Sequence, residues 1–207
     1  MSRTESKPER WRIFCAVELP EAVRSSAAAH IARLRESAPD VRAGWDKPEK
    51  LHITLKFLGE IETARLEALE RAARRAASRV APFSIAAEEA GTFPPRGQPR
   101  VLWLGIRDES ENLSSLQRGL EDECALEGFP REPRAFRPHL TLARLRAPAG
   151  ARPLADLHRQ TGFSSDPFTV AEFVVMRSEL GRGGSRYTAI SRHTLGQQQQ
   201  TAASFEG

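Results

Sequence analysis

Apolar residues alternate along the segment RIFCAVEL, residues 12–19, as they do in a β-strand. Successive residues of a strand point to opposite faces, and both faces of this segment are mostly apolar. We therefore expect a strand that is covered on both sides. Pro20 follows, at a position where proline commonly begins a helix, and apolar residues then recur at helical spacing. These residues are Val23, Ala27, Ile31 and Leu34.

Strands and helices are predicted to alternate along the rest of the chain. Strands are expected near residues 50–58, 83–87, 101–106, 135–145, 168–176 and 186–192. Helices are expected from Thr63 onward, from 110 to 127, and at 154–161. The order of elements in the second half resembles that in the first, and no linker rich in Pro, Gly or Ser separates the halves. This favours two intimately packed lobes over two separable domains.

The two ends of the chain differ in composition from the rest. Residues 1–10 are polar and are predicted to form a flexible leader. Residues 196–207 include a run of four glutamines and are predicted to form a disordered tail. Residues 11–195 between them are expected to form a single bilobal domain.

The composition excludes several classes of protein. Of the 207 residues, 40% are hydrophobic and 28% are charged, which is too apolar a balance for a disordered chain. The chain has neither a run of about 18 apolar residues to span a membrane nor the apolar segment of a secretory signal. Cys15 and Cys124 make neither a disulfide framework nor a zinc site, so we expect a cytoplasmic protein.

The charge balance permits an acidic or nucleic-acid partner but does not require one. The formal net charge is +4, and 27 of the 31 basic residues are arginines. The planar guanidinium of arginine suits bidentate contacts with phosphate. Arginine richness can equally reflect genome composition, so the charge alone does not decide between these interpretations.

One pattern of histidine and threonine occurs twice in the chain, 87 residues apart. His52-Ile-Thr54-Leu lies in the strand predicted at 50–58, and His139-Leu-Thr141-Leu lies in the strand predicted at 135–145. Because alternate side chains of a strand share a face, each histidine lies beside its threonine while the aliphatic residues point the other way. Each strand is thus predicted to bury one face and to present an imidazole and a hydroxyl on the other.

The same alternation places Lys56 on the face of His52 and Arg137 on the face of His139. If the lobes meet, one cleft contains two imidazoles, two hydroxyls and two cations, a set that suits phosphoryl transfer at a phosphate diester. One imidazole accepts a proton from the attacking oxygen, the other donates a proton to the leaving oxygen, and the remaining groups stabilise the developing charge. A single His-x-Thr is also typical of a half-buried histidine, so the prediction depends on the repetition.

The remaining histidines and cysteines are predicted to be structural. His30 is expected at the edge of the core, His158 on a surface helix, and His193 beside the tail. Both cysteines are expected to be small buried hydrophobic residues.

Several other residues are weighed as substrate contacts. The GRGGS run at 181–185 is predicted to form a hairpin turn, from which Arg182 and Arg186 could reach RNA. Trp45 is a candidate for stacking on a base. Phe57 is expected on the apolar side of its strand, and Arg144 is expected off the face of His139.

Five segments of the chain together resemble one enzyme family. They are RIFCAVELP, LHITLKFLGE, FPPRGQPRVLWLGI, FRPHLTLARL and FVVMRSELGRGGSRYTAI, and they are spread over residues 11–195. The sequence is similar to the bacterial and archaeal RNA 2′,3′-cyclic phosphodiesterases, also called 2′-5′ RNA ligases, of the 2H phosphoesterase superfamily. Both His-x-Thr motifs are intact.

The resemblance implies a bilobal, duplicated α+β fold with antiparallel β-sheets flanked by helices and an active cleft between the lobes. It implies hydrolysis of RNA 2′,3′-cyclic phosphate ends to 2′-phosphomonoesters, and reversible 2′-5′ ligation of RNA ends, without metal, ATP or another cofactor. By the family's assignment, His52 would be the proton donor and His139 the proton acceptor, while Thr54 and Thr141 would bind phosphate oxygens. The motifs are nearly symmetric, so the sequence itself leaves the direction of proton transfer open.

Three alternatives remain open at this point. The same fold could act on a small cyclic nucleotide or on ADP-ribose cyclic phosphate. A non-catalytic RNA-binding module is disfavoured, because phosphate binding alone favours Arg or Lys over His. A histidine metalloenzyme is disfavoured because no Asp, Glu or Cys ligand lies near the motifs. We expect a monomer whose partners are RNA 3′ ends or small cyclic-phosphate nucleotides.

Overall fold

The computed structural model describes residues 8–147, 150–181 and 184–196. Within these ranges the chain forms nine β-strands and four α-helices. The strands are β1 (Arg10–Glu18), β2 (Ala43–Trp45), β3 (His52–Glu62), β4 (Phe83–Phe93), β5 (Val101–Arg107), β6 (His139–Leu145), β7 (Phe168–Val170), β8 (Glu172–Gly181) and β9 (Gly184–Thr194). The helices are α1 (Glu21–Ser37), α2 (Leu66–Ser78), α3 (Asn112–Leu126) and α4 (Ala151–Thr161).

The strands form two antiparallel sheets. The first sheet has the order β3-β1-β8-β9, and the second has the order β2-β6-β5-β4-β7. The first sheet therefore combines strands from the beginning and the end of the chain. In each sheet one motif strand pairs with a central strand, β3 with β1 and β6 with β5. The α+β fold with duplicated antiparallel sheets is confirmed.

The helices form two pairs. Helix α2 packs against α3 and β9, and α3 also packs against β3, so this pair flanks the first sheet. Helix α1 packs against α4, which in turn packs against β4 of the second sheet. Within the described ranges, none of the helices has the length and hydropathy needed to cross a membrane.

Strand β1 is buried on both faces, as its sequence predicted. Ile13 and Cys15 on one face belong to the main hydrophobic core, which includes buried residues of both sheets and of the helices. Phe14 and Ala16 on the other face belong to a smaller apolar cluster with residues of β8 and with Tyr187. Cys15 and Cys124 are both free and buried, which confirms that they act as small hydrophobic residues.

Several predicted boundaries were wrong. The strand predicted at 135–145 begins only at His139, after a stretch that contains Pro133 and Pro138, which have no N–H to donate to a sheet. Arg10, the last residue of the predicted leader, belongs to β1 and pairs with Glu62 in the first sheet. The predictions for residues 1–7 and 197–207 lie outside the described residues. Strand β2 was not predicted, since three residues are too few to show alternation.

Candidate active site

The two His-x-Thr motifs lie on strands that meet between the sheets. Strand β3 is an edge strand of the first sheet and is in contact with β6 of the second sheet. His52 is the first residue of β3, and His139 is the first residue of β6. Burial first, and then the charges of Arg144 and His139, lower the pKa of His52. The fold thus brings the two motif strands into contact, and the pairing of the two histidines as catalytic groups stays a prediction.

Each histidine is held by the main chain in the same way. Nδ1 of His52 lies 2.7 Å from the carbonyl oxygen of Lys50, and Nδ1 of His139 lies 2.7 Å from the carbonyl oxygen of Arg137. A carbonyl oxygen only accepts, so each Nδ1 must carry a proton and donate it. The neutral form of each ring is therefore fixed as the Nδ1–H tautomer, with a lone pair on Nε2. Either Nε2 can then accept a proton as a base or, in the cation, donate one as an acid.

Aromatic rings enclose both imidazoles. Phe14 lies 4.9 Å and Tyr187 lies 5.4 Å from the ring centre of His52, and Phe93 lies 5.0 Å from that of His139. Burial lowers the pKa of both histidines below the usual value, because the imidazolium loses hydration. The carbonyl bonds oppose this shift by favouring the charged form. Both imidazoles are thus favoured as neutral groups in the free protein, and an anion bound between them would favour protonation.

A β-bulge directly after the first motif changes the face on which the next residues lie. Opposite β1, Ala16 pairs with Thr54 and Cys15 pairs with Lys56, so Leu55 is an extra residue without a partner of its own. The alternation therefore reverses after Thr54. Phe57 lies on the cleft face with Thr54, and Lys56 is 2% exposed in the interior.

These positions correct two predictions. Lys56 does not lie on the face of His52, because its ammonium is bonded in the interior to Glu121 at 2.6 Å and to the carbonyl oxygen of Pro130 at 2.8 Å. Phe57, expected on the apolar side, instead presents a ring that is 43% exposed at the cleft. Strict alternation fails here because a bulge inserts one residue, and one extra residue exchanges the two faces.

The second motif is followed by the same irregularity. Opposite β5, Thr141 pairs with Trp103 and Ala143 pairs with Leu102, so Leu142 is the extra residue. Arg144 consequently lies at the cleft, which corrects the expectation that it would be off the face of His139. Its guanidinium donates to the carboxylate of Asp46 at 3.1 Å.

Arg137 precedes β6 and does not belong to it. Its carbonyl oxygen orients His139, while its exposed side chain lies in a separate groove with Trp103 and Phe136. The strand-face argument for Arg137 is therefore wrong, because the strand begins two residues later. Its role as a phosphate partner stays a prediction.

The cleft itself is strongly cationic. Its volume is about 940 Å³, and Thr54 of the first motif lines it. Thr141 is half-buried on β6, and neither it nor the two histidines are part of this lining. His52 borders the cleft through Phe14 and Tyr187, which contact its ring and line the cleft. Asp46 is the one carboxylate among the described lining residues, against six cations. Those cations are Arg12, Lys47, Lys50, Arg134, Arg144 and Arg146.

Asp46 and Tyr187 are site residues that sequence reasoning missed. Asp46 follows the short strand β2, and its main-chain N–H donates to the carbonyl oxygen of Leu142 at 2.8 Å. Burial raises the pKa of Asp46, and Arg144 opposes that shift. Burial also raises the pKa of Tyr187, so its phenol stays protonated beside His52. The sequence contained one signal for Tyr187. Ser185 and Tyr187 are two residues apart on the strand after the glycine-rich turn, so they share a face, and both line the cleft.

The other residues weighed as substrate contacts differ in where they lie. Trp45 lines the cleft, a position that is compatible with stacking on a base. Its stacking stays a prediction. Two glycines of the GRGGS run, Gly181 at the end of β8 and Gly184 at the start of β9, pair with each other. Arg186 is exposed on β9. Arg182 lies outside the described residues.

The other three histidines, His30, His158 and His193, are buried. His158, expected on a surface helix, is fully buried, because its side of α4 faces α1 and β5. Its Nδ1 lies 2.9 Å from Nε2 of His30, and its Nε2 donates to the carbonyl oxygen of Trp103 at 3.0 Å. His193 is buried against Phe173.

A family model describes most of this chain. The model of the 2′-5′ RNA ligase superfamily matches residues 23–182, a range that contains both motif strands and most of the cleft. The chain belongs to the 2′-5′ RNA ligase superfamily.

Individual members of the superfamily match over nearly their full lengths. A protein of Methanothermobacter thermautotrophicus named RNA 2′,3′-cyclic phosphodiesterase is 35% identical over 180 residues, which are 86% of this chain and 95% of that protein. The crystal structure of TT0787 of Thermus thermophilus matches with a TM-score of 0.74 and 32% identity, covering 89% of this chain and 98% of the other. The structure of E. coli LigT complexed with 3′-AMP matches with a TM-score of 0.68 and 30% identity, covering 91% and 99%.

Proposed function

We propose that this protein hydrolyses 2′,3′-cyclic phosphate ends of RNA to 2′-phosphomonoesters by acid–base catalysis between two histidines. The observation that supports this most is the matched placement of His52 and His139, each with Nδ1 bonded to a main-chain carbonyl. The 35% identical relative bears the name RNA 2′,3′-cyclic phosphodiesterase, and LigT was crystallised with a ribonucleotide, 3′-AMP. Both facts agree with a ribonucleotide phosphate as the substrate.

In the proposed reaction His139 is the proton acceptor and His52 is the proton donor. Nε2 of neutral His139 removes a proton from water, whose oxygen bonds to phosphorus. The bond between phosphorus and the 3′ oxygen breaks, and Nε2–H of protonated His52 donates its proton to that oxygen. The products are a 2′-phosphomonoester and a 3′ hydroxyl, and exchange of protons with solvent restores both histidines. With a 5′ hydroxyl in place of water as the attacking group, the same bond to the 3′ oxygen breaks, and the two histidines in the same roles join RNA ends through a 2′-5′ linkage.

The groups around the histidines stabilise charge on phosphate. The hydroxyls of Thr54 and Thr141 donate to the non-bridging oxygens, and Arg144 supplies a cation at the same face. Because catalysis needs only proton transfer and charge stabilisation, we propose that the reaction requires neither a metal ion nor ATP. We further propose that the protein acts as a monomer in the cytoplasm.

The alternative substrate is a small cyclic phosphate, such as a cyclic nucleotide or ADP-ribose cyclic phosphate. The six cations of the cleft favour RNA, because they provide contacts for more than one backbone phosphate. A cyclic nucleotide carries one phosphate, and ADP-ribose cyclic phosphate adds only its diphosphate, so either leaves several of the six cations without a partner.

The test uses a short RNA that ends in a 2′,3′-cyclic phosphate, compared with 2′,3′-cyclic AMP and ADP-ribose cyclic phosphate. Products are identified by chromatography against RNA standards that end in a 2′-phosphate or a 3′-phosphate. We expect fastest turnover of the RNA, with only the 2′-phosphate formed. A 3′-phosphate product contradicts the proposed bond cleavage, and turnover confined to a small cyclic phosphate supports the alternative.

A further inference from the structure

The buried cation Lys56 connects the first motif strand to the loop that precedes the second. Its ammonium donates to the carboxylate of Glu121 on α3 at 2.6 Å and to the carbonyl oxygen of Pro130 at 2.8 Å. The side chains of Lys56 and Glu121 are 2% and 9% exposed. A buried ion pair of this kind is costly to leave half-formed, so each charge needs the other.

The same carboxylate also binds the loop at a second point. Oε2 of Glu121 accepts a hydrogen bond from the main-chain N–H of Glu132 at 3.2 Å. The loop is thus tied to the buried pair at Pro130 through Lys56 and at Glu132 through Glu121. These two bonds fix the main chain immediately after α3.

From this anchored segment one arginine extends to the cleft. Nε and one terminal nitrogen of Arg134 donate to the two carboxylate oxygens of Glu132 at 2.7 and 2.9 Å. The Arg134 guanidinium holds the pKa of Glu132 down to about 2, so this carboxylate is ionised at neutral pH. The Arg134 side chain is 82% exposed and lines the cleft, and its other terminal nitrogen is not part of the paired contact.

We infer that the Lys56–Glu121 pair is a positioning device that holds Arg134 at the cleft, where Arg134 binds a backbone phosphate of the RNA. The buried pair fixes Glu132, and Glu132 fixes the plane of the guanidinium. The inference rests on the proposed function, since it names a contact for the RNA strand beyond the reacting phosphate. Lys56 and Glu121 act through other residues and do not touch the substrate.

The test is a double-mutant cycle between the buried pair and Arg134. Binding of a short RNA that ends in a 2′-phosphate is measured by fluorescence titration at fixed salt, because this readout does not need turnover. Arg134→Ala is made in the wild type and in the double variant Lys56→Met/Glu121→Leu, which replaces the ion pair by apolar side chains and thus leaves no buried charge unpaired. Arg131→Ala is the matched control, since Arg131 belongs to the same loop but pairs with Asp122.

In the wild type we expect Arg134→Ala to weaken binding about fivefold and Arg131→Ala to change it less than about twofold. In the Lys56→Met/Glu121→Leu background Arg134→Ala should change the affinity less than about twofold, because Arg134 is no longer held in place. An equal loss in both backgrounds overturns the positioning role. Wild-type affinity for Arg134→Ala overturns the phosphate contact.

Two further measurements distinguish these outcomes from misfolding of a variant and from failure of the proposed function. Circular dichroism verifies that each variant is folded, and Lys56→Gln/Glu121→Gln, which removes both buried charges but keeps polar side chains, is the second background if Lys56→Met/Glu121→Leu does not fold. In that background the effect of Arg134→Ala should again decrease, and an undiminished effect contradicts the inference. Hydrolysis of the cyclic-phosphate RNA by the wild type is measured separately, so its absence contradicts the proposed function without affecting the binding cycle.

Discussion

Phe57 and Arg144 occupy equivalent positions on two different sheets, each three residues after the threonine of its motif. Both lie at the cleft because a β-bulge follows each His-x-Thr sequence, at Leu55 in β3 and at Leu142 in β6. The reversal of side-chain alternation is thus present in both motif strands, as are the histidine and the threonine. One copy provides an exposed aromatic ring and the other provides a cation.

We predict that the ring of Phe57 stacks on a base of the RNA. It is 43% exposed, and the guanidinium of Arg12 lies 4.9 Å from its centre. We expect Phe57→Ala to raise KM for the RNA about tenfold with a smaller change in kcat, since stacking on an aromatic ring contributes roughly 1–3 kcal/mol. Steady-state kinetics with Phe57→Tyr as the control check this, because Tyr keeps a flat ring. An unchanged KM in Phe57→Ala contradicts the stacking role.

The charge of Arg144 acts on both histidines. Burial is the main reason that the pKa values of His52 and His139 are low, and the nearby cation of Arg144 lowers both further. Arg144→Gln removes that cation, so both pKa values should rise. Titration of the imidazole C2 protons by NMR measures the shift directly.

Arg146→Gln is the matched control for this titration, because Arg146 lines the same cleft and is not among the charges that lower either pKa. It should leave both titrations close to those of the wild type. Unchanged or lowered values in Arg144→Gln contradict the electrostatic role of this residue.

The buried pair of His30 and His158 predicts acid sensitivity of the fold. Burial first, and then the charges of His158 and Arg33, lower the pKa of His30 from 6.5 to about 4. Between these pH values the unfolded chain binds more protons than the folded one. The stability that the folded state gains from neutral His30 is therefore fully present above pH 6.5 and is lost as the pH falls to 4. The free energy of unfolding should therefore decrease by about 2 kcal/mol between pH 7 and pH 5 through this group.

Urea denaturation of the wild type and His30→Gln at both pH values measures this contribution. The variant should lose less free energy of unfolding between pH 7 and pH 5, because glutamine does not titrate. The same pH dependence in both proteins contradicts the prediction.

The assignment of donor and acceptor predicts different responses to a better leaving group. A substrate with sulfur in place of the 3′ oxygen needs little protonation of its leaving group. It should restore much of the activity of His52→Ala, the variant without the donor, and little of that of His139→Ala. Single-turnover rates of both variants on both substrates check this. Selective recovery of His139→Ala instead indicates that the two roles are exchanged.

The sequence predicted the principal parts of the site because each has a local signature. Alternation of apolar residues located β1, and the repeated His-x-Thr pattern identified His52 and His139 before any geometry was known. Lys56 and Arg144 were assigned to the wrong faces because a bulge depends on pairing with a neighbouring strand, which a single strand's sequence does not reveal. Asp46 was missed because its position depends on a long-range contact with β6.

The central claim, acid–base catalysis by two histidines without a metal ion, is tested by one comparison. Wild type, His52→Ala and His139→Ala are assayed on RNA ending in a 2′,3′-cyclic phosphate with excess EDTA present. The account predicts full wild-type activity in EDTA and a loss of about 10²–10⁴-fold in each variant, as expected for removal of an acid or a base. Loss of wild-type activity in EDTA, or near-normal activity in either variant, would contradict it.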